Sequence, residues 1–309
     1  MPAPPLDAIA VEPSTSRSWL EAAVTEGGGR IVEPDEANGL VWTHQDDPAA
    51  LGALLANHPQ IAWVQLPWAG IEPYVELVQA HPHLVWTCGK GVYAEPVAEH
   101  ALALALSGLR HVAAYARAAE WGRHAGTNLL GARVVVLGGG GITESLLRLL
   151  FPFRCDVTVV RRQPQPMQGA DRVVGMDELD AALTGAHLVV LALALTPETA
   201  GVMDRRRLVL LDSKGWVVNV ARGAHVVTDD LVAVLAEGLI GGAALDVTDP
   251  EPLPPEHPLW SEPRCIITPH TANTPAMALP LLSERVRENV RRRIAGEMLL
   301  GPVDVEAGY

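Results

Sequence analysis

Val134, Val135, Val136 and Leu137 run without a polar break into Gly138, Gly139, Gly140 and Gly141, and Ile142-Thr143-Glu144 then leads into Ser-Leu-Leu-Arg-Leu-Leu. No other stretch narrows the possible folds so far. A continuous apolar run is a strand buried on both faces, and the apolar spacing after it suits one face of a helix. Strand, glycine turn and helix in that order open a dinucleotide-binding βαβ unit. The physical demand is close approach: a pyrophosphate at a helix N-terminus needs backbone N–H groups aimed at it and no Cβ in the way. Gly138 and Gly140 take the first two positions of G-x-G-x-x-G, with Gly141 and Ile142 next in the turn. The third position is Thr143, which implies a wider helix–strand crossing or a shifted turn. A plain turn fits the same residues, so the assignment leans on its context.

That context is a chain of 309 residues, enough for two domains. The formal net charge of −13, with no basic run longer than three arginines such as Arg291–Arg293, argues against a nucleic-acid partner. Cys88, Cys155 and Cys265 are far apart and lack C-x-x-C spacing, so neither a disulfide framework nor a zinc site is expected, and a reducing cytoplasm is the natural compartment. Met1-Pro-Ala-Pro-Pro does not read as a signal peptide, and the longest apolar run, Leu188 to Leu195, is too short to span a membrane.

Before the glycine turn, strands are expected at Ile9–Val11, Gly39–Trp42, Ile61–Leu66 and Leu84–Thr87, with helices over 16–25, 48–57 and 71–80. This is a small parallel α/β domain. Pro67-Trp68-Ala69-Gly70 ends one strand; it is either a ligand-facing turn with open N–H groups or an ordinary βα loop, and the residues alone leave both open. Gly89 to Tyr93 reads as a hinge into a long Ala/Leu-rich helix starting near Glu95-Pro96, in which His100 is expected to fill a core or interface position. From Val134 onward, strands are expected at 133–137, 156–160, 172–174, 187–193, 216–220, 242–247 and 265–268, with helices near 142–151, 177–183, 204–210 and 228–236. This is a doubly wound sheet. A last helix over 276–296 is expected to turn its Arg and Glu residues to solvent.

Ligands on such sheets sit beyond the carboxyl ends of the strands. There the sequence places Ala221-Arg222-Gly223, then Asp246 and Asp249-Pro250-Glu251-Pro252, then Pro269-His270-Thr271. A cation, carboxylates and an imidazole share one edge with the glycine turn. Hydride delivery to a carbonyl carbon needs a proton on its oxygen. His270 is the natural donor, with Glu251 favouring the imidazolium and setting its tautomer. Arg222 has the forked geometry to hold a carboxylate or keto oxygen, and the loop from Trp68 to Gly70 is expected to take the other end of that carboxylate from across a cleft. A 2-oxo acid fits this set. Reduction should then fall as pH rises, and oxidation should do the opposite.

Trp68-Ala-Gly, Gly91-Val-Tyr-Ala-Glu-Pro-Val-Ala-Glu-His, Leu130-Gly, Leu195-Thr-Pro-Glu-Thr, Val218-Asn-Val-Ala-Arg-Gly, Ala244-Leu-Asp-Val-Thr-Asp-Pro-Glu-Pro-Leu, Pro258-Leu-Trp, Thr268-Pro-His and Val303-Asp cover nearly the whole chain. In these pieces and their order it resembles the D-isomer-specific 2-hydroxyacid dehydrogenases. The resemblance implies a doubly wound parallel Rossmann-type cofactor domain, residues 94–274, and a smaller flavodoxin-like α/β substrate domain, residues 1–93 and 275–309. It implies Arg222, Glu251 and His270 as the catalytic set. Gly138, Gly140, Gly141, Ile142, Ala194, Ala221 and Asp246 would lie along the cofactor, and Trp68, Ala69 and Gly70 would bind substrate, Ala69 and Gly70 through backbone donors. It further implies a homodimer through the cofactor domain and no metal.

One departure bears on the cofactor. Arg161-Arg162 ends the second cofactor strand, about 20 residues beyond Gly138, where NAD-preferring members carry an acid. Two arginines there suit a 2′-phosphate, so NADP is favoured over NAD, and Arg162-Gln-Pro also looks like the NADPH-using glyoxylate/hydroxypyruvate reductases. An alternative is an NAD(H)-sensing, corepressor-like binding protein on the same scaffold; the Arg-Glu-His set and the expected lack of a long disordered extension weigh against it. A short-chain dehydrogenase mechanism fails, because no tyrosine is followed four residues later by lysine.

Overall fold

Parallel strands need cover on both faces, and the apolar runs find it in two separate sheets. The computed structural model describes residues 5–13, 18–44, 47–122 and 124–305, so Ser16 and Arg17, where the first helix was expected to begin, and residues 306–309 of the tail lie outside the described residues. The chain divides into two compact units, Met1–Tyr93 with Thr274–Tyr309, and Ala94–Asn273.

The first unit runs β1 (Ala8–Glu12), α1 (Ser18–Glu26), β2 (Arg30–Ile31), β3 (Gly39–Trp42), α2 (Pro48–Asn57), β4 (Trp63–Gln65), α3 (Val75–Ala80) and β5 (Val85–Thr87). Its sheet has the order β2-β1-β3-β4-β5, all pairs parallel, the flavodoxin-like arrangement. Asp47 starts α2 by accepting the N–H of Ala50 at 2.9 Å.

The second unit runs α4 (Ala94–Leu109), α5 (Val112–Arg117), β6 (Arg133–Leu137), α6 (Gly141–Leu150), β7 (Asp156–Val160), β8 (Arg172–Val174), α7 (Leu179–Leu183), β9 (Leu188–Leu191), α8 (Arg205–Leu208), β10 (Trp216–Asn219), α9 (Thr228–Ala236), β11 (Gly242–Leu245) and β12 (Cys265–Ile267). The order β12-β11-β10-β9-β6-β7-β8 is doubly wound, with the chain reversing direction across the sheet between β6 and β9. Val135 and Leu137 enter the core on one face and Val134 and Val136 the core on the other, as period-two alternation requires. Gly108 of α4 lies on the Trp216 ring; a Cβ there would approach it to 2.4 Å. Finally α10 (Pro275–Ala295) returns the chain to the first unit, against α1. Among the described residues no helix is long and apolar enough to cross a membrane.

The strands expected at 133–137, 156–160 and 172–174 form over those residues, whereas β9 to β12 stop short of their expected ends. The shared register ends at Asn219, Leu245 and Ile267, and the residues just beyond, including Asp246 and Thr268, turn into loops. Two elements were not anticipated. β2 is too short to show alternation, and α5 follows α4 after a left-handed turn at His111.

The solvated face expected of α10 holds only in part. Glu288 bridges Arg291 and Arg292, and Glu297 adds to Arg291, with Arg291 and Glu297 exposed and Glu288 and Arg292 half-buried. Arg293 instead is buried, its guanidinium 5.4 Å from the centre of the Trp63 ring and donating to the backbone carbonyl of Asn38. A long stem lets arginine lie on an aromatic ring while its head keeps acceptors.

Candidate active site

The glycine turn leaves β6 at Gly138, whose φ of +109° favours glycine. Space requires it as well, because a Cβ would stand 2.1 Å from the carbonyl oxygen of Ala192. Gly140 is the N-cap of α6 and faces open space; a Cβ there would meet nothing within 4 Å. The N–H of Glu144 is bonded to the carbonyl of Gly140, so the N–H groups of Gly141, Ile142 and Thr143 precede the first α-helical donor. Thr143, the departure from the glycine pattern, is fully buried, and its hydroxyl donates to the Gly138 carbonyl at 2.8 Å. The side chain thus staples the turn it was expected to disturb.

Arg161, at the end of β7, lies over this turn: a Cβ on Gly139 would come within 2.6 Å of its Nε. Arg162 is exposed. Its charge adds to the Thr196 hydroxyl and the backbone N–H of Glu198 in holding the Glu198 carboxyl below its usual range. Ala194 accepts a 2.8 Å bond from Thr199 Oγ1. An open glycine cradle, free helix N–H groups and a guanidinium over the turn fit a dinucleotide phosphate.

The opposite end of the same sheet edge is made of polar pairs. Asn219 organises the turn after β10, its amide donating to the Arg222 carbonyl and its Oδ1 accepting from the N–H of Ala221. Arg222 Nη1 donates to the Ala221 carbonyl at 2.8 Å. Gly223 is pressed on the next loop, where a Cβ would fall 2.0 Å from the carbonyl of Thr248. From that loop comes Glu251, and His270 Nδ1 donates to its Oε1 at 2.7 Å. Both side chains stay open, 54% and 42% exposed. His270 has a φ of +52°, a left-handed conformation costing a non-glycine residue roughly 1–2 kcal/mol.

What holds that conformation is Asp246, 2% exposed at the end of β11. Its backbone carbonyl accepts the N–H of His270 at 2.8 Å. Its Oδ1 accepts from Thr268 Oγ1 at 2.5 Å and the N–H of Thr271 at 2.9 Å, and its Oδ2 from the N–H of Ala272 at 3.0 Å. Burial alone would raise this carboxyl's pKa, but the hydrogen bonds from His100, Thr268, Thr271 and Ala272 outweigh it and bring the carboxyl down to about 2.

His100, expected to fill a core or interface position, is therefore a polar partner of this edge. Its Nε2 lies 3.1 Å from Thr268 Oγ1 and 3.3 Å from Asp246 Oδ1. Nothing in its helix spacing marks it out; the only available signal was the Glu99-His100 pair within a matching motif. His225 was also missed. It is fully buried, with its ring nitrogens 3.1 Å and 3.2 Å from the carbonyls of Thr199 and Leu193, which ties the loop after β9 to that of Arg222.

Trp68, Ala69 and Gly70 belong to the first unit, in the loop after β4. Trp68 packs on Tyr93 at 5.3 Å between ring centres, and Tyr93 donates to the Pro67 carbonyl at 2.7 Å. The Trp68 carbonyl accepts the N–H of Gly89, while its Nε1 is buried without a hydrogen-bond partner. Among the described residues no group of three or more His, Cys, Asp or Glu side chains stands placed to hold a metal.

Residues 100–272 match the model of the D-isomer specific 2-hydroxyacid dehydrogenase, NAD binding domain. The chain is 32% identical to the glyoxylate/hydroxypyruvate reductase A of Serratia proteamaculans over 298 residues, 89% of this chain and 92% of that one. Among solved structures, it superposes on a D-isomer specific 2-hydroxyacid dehydrogenase from Xanthobacter autotrophicus, in complex with NADPH and MES, with a TM-score of 0.83 at 28% identity, covering 98% and 99% of the two chains. The NADPH-dependent glyoxylate/hydroxypyruvate reductase of Sinorhizobium meliloti, in complex with NADP and sulfate, gives 0.81 at 25% identity, covering 98% and 99%.

Proposed function

This chain belongs to the D-isomer specific 2-hydroxyacid dehydrogenase family, and from that premise we propose that it reduces a small 2-oxo acid to the D-2-hydroxy acid, preferring NADPH, with His270 as proton donor. The coarser statement, an NAD(P)-dependent oxidoreductase of this family, follows from membership itself. The observation that carries the finer one is the 2.7 Å bond from His270 Nδ1 to Glu251.

When bound, the nicotinamide supplies the hydride. The protein's part is the proton and the grip. With Nδ1–H committed to Glu251, the ring is held in one orientation and Nε2 is left to serve the substrate oxygen. Arg222 holds the substrate's carboxylate or keto oxygen through its forked donors. Ala69 and Gly70, with Trp68 beside them in the loop after β4, would offer backbone N–H donors to the acid. Gly138, Gly140, Gly141 and Ile142 would receive the pyrophosphate, and Ala194, Ala221 and Asp246 would line the rest of the cofactor.

Arg161 over the glycine turn, with Arg162 beside it, supports NADPH, because two guanidinium groups match a 2′-phosphate where an acid would repel it. The likeness to reductases named for glyoxylate and hydroxypyruvate supports a short substrate. Purified protein with glyoxylate, hydroxypyruvate, pyruvate or phenylpyruvate, each with NADPH and NADH, is the direct test. Turnover fastest with a short acid and NADPH is expected. No oxidation of either cofactor with any 2-oxo acid between pH 5 and 9 would rule the reading out.

The exposed Val112, Tyr115 and Trp121 on the second unit, 52%, 43% and 94% exposed, support assembly of that unit with a second copy. A homodimer in sedimentation that dissociates on Trp121→Glu is the expected result.

A further inference from the structure

We propose that His100 is a positioning residue for the reaction: it anchors the buried carboxylate of Asp246, around which the left-handed turn presenting His270 is wound. The proposal rests on the reading of His270 as proton donor.

The bonding leaves one arrangement of protons. A carboxylate only accepts, and the single hydroxyl proton of Thr268 is spent on Asp246 Oδ1 at 2.5 Å. Both groups near His100 Nε2, at 3.1 Å and 3.3 Å, are therefore acceptors, so Nε2 carries a proton and donates it. That donor comes from the middle of α4, a sixteen-residue helix packed on the sheet, and not from a loop. It approaches Asp246 from outside the segment 268–272, whose own groups reach the carboxylate through the Thr268 hydroxyl and the N–H groups of Thr271 and Ala272. The loop thus grips an anion that a helix holds still.

The consequence reaches His270 through its backbone. Its N–H is bonded to Asp246 O, and the N–H groups of the two residues after it are bonded to the two carboxylate oxygens. A shift of Asp246 moves all three together and rotates the imidazole relative to Glu251. Asp246 is only 2% exposed, so losing the donor of His100 leaves a buried carboxylate one bond short. A displacement on the order of 1 Å at a reacting group is enough to cost about 100-fold in rate.

The test compares His100→Leu, His100→Gln and His270→Gln under steady-state reduction of the best 2-oxo acid with NADPH, each with its melting temperature. Glutamine places an N–H near the position of Nε2; leucine fills the space and donates nothing. His100→Leu is expected to lower kcat about 10-fold with KM for NADPH changed less than about 2-fold, and His100→Gln to recover most of the loss. Wild-type kcat in His100→Leu beside a collapsed kcat in His270→Gln would overturn the role of His100 and leave His270 standing. Equal losses in both His100 variants, tracking a fall in melting temperature, would overturn it as mere packing. Full activity in His270→Gln would remove the reading on which the proposal rests.

Discussion

Two ends of one sheet edge are built on opposite terms. At β6 and β7 the ligand-facing surface is made by leaving things out: Gly138 has no room for a side chain, Gly140 faces open space, and Arg161 lies over Gly139. At β11 and β12 it is made by pairing, with His270 on Glu251 in the open and His100 on Asp246 in the interior. The first arrangement suits a ligand whose charge approaches the backbone. The second suits a proton that must be delivered from one defined atom. Within it, the open pair and the closed pair divide the work, since an exposed imidazole can exchange its proton while a buried carboxylate can shape a turn.

If that division is real, substitutions at the two ends will separate in kinetics. His270→Gln is expected to lower kcat about 1000-fold, roughly 4 kcal/mol in the barrier, with KM for NADPH little changed; a matching rise in KM would break the comparison. At the other end, Arg161→Ala with Arg162→Ala should raise KM for NADPH by about 10- to 100-fold, the loss of one or two charge-assisted bonds, with KM for NADH nearly unmoved. A drop in kcat with both cofactors would mean that the arginines serve something other than the 2′-phosphate.

The closed pair also has a signature in stability. The hydrogen bonds to Asp246 outweigh its burial and hold its carboxyl down at about 2 against an ordinary 3.8, so its ionised form favours the native state. That contribution is complete above pH about 4 and drains away as pH falls toward 2; with screening allowed for it amounts to roughly 1–2 kcal/mol. Denaturant unfolding of the wild type and Asp246→Asn from pH 7 to pH 2 should show the difference between them shrinking toward the acid end. A constant difference would mean that the carboxylate's charge does not matter to the turn. The smallest effect is expected from Gly139→Ala, whose new methyl must push the Arg161 side chain aside, a shift that a flexible arm tolerates. A several-fold change in the NADPH-to-NADH preference, read as a ratio of kcat/KM, would sharpen the link between that glycine and the phosphate.

The legibility of this molecule follows the same split. β6 and β7 could be placed from sequence because strands buried on both faces are nearly continuous apolar runs, and the order of strands and helices leaves few parallel topologies. β2, with only two residues, carried no pattern to detect. Arg293 was misplaced because a charged residue in a helical repeat looks solvated until an aromatic ring from another strand, here Trp63, is known to lie beneath it. In the same unit, Gln65 Oε1 accepts from both Thr87 and Asn289, a buried polar junction that no local pattern announces.

By itself, then, the amino-acid order determined the kind of the longer elements, the glycine turn, and the set of polar groups that follow the strands, because these depend on neighbours in the chain. Tertiary structure decided which of those groups meet. The bond from His270 to Glu251 spans 19 residues and was open to inference, whereas His100 finds Thr268 across 168. Side-chain pairing over that distance is set by how a helix seats on a sheet, and α4 has no feature along its own length that foretells which of its residues will face a buried anion.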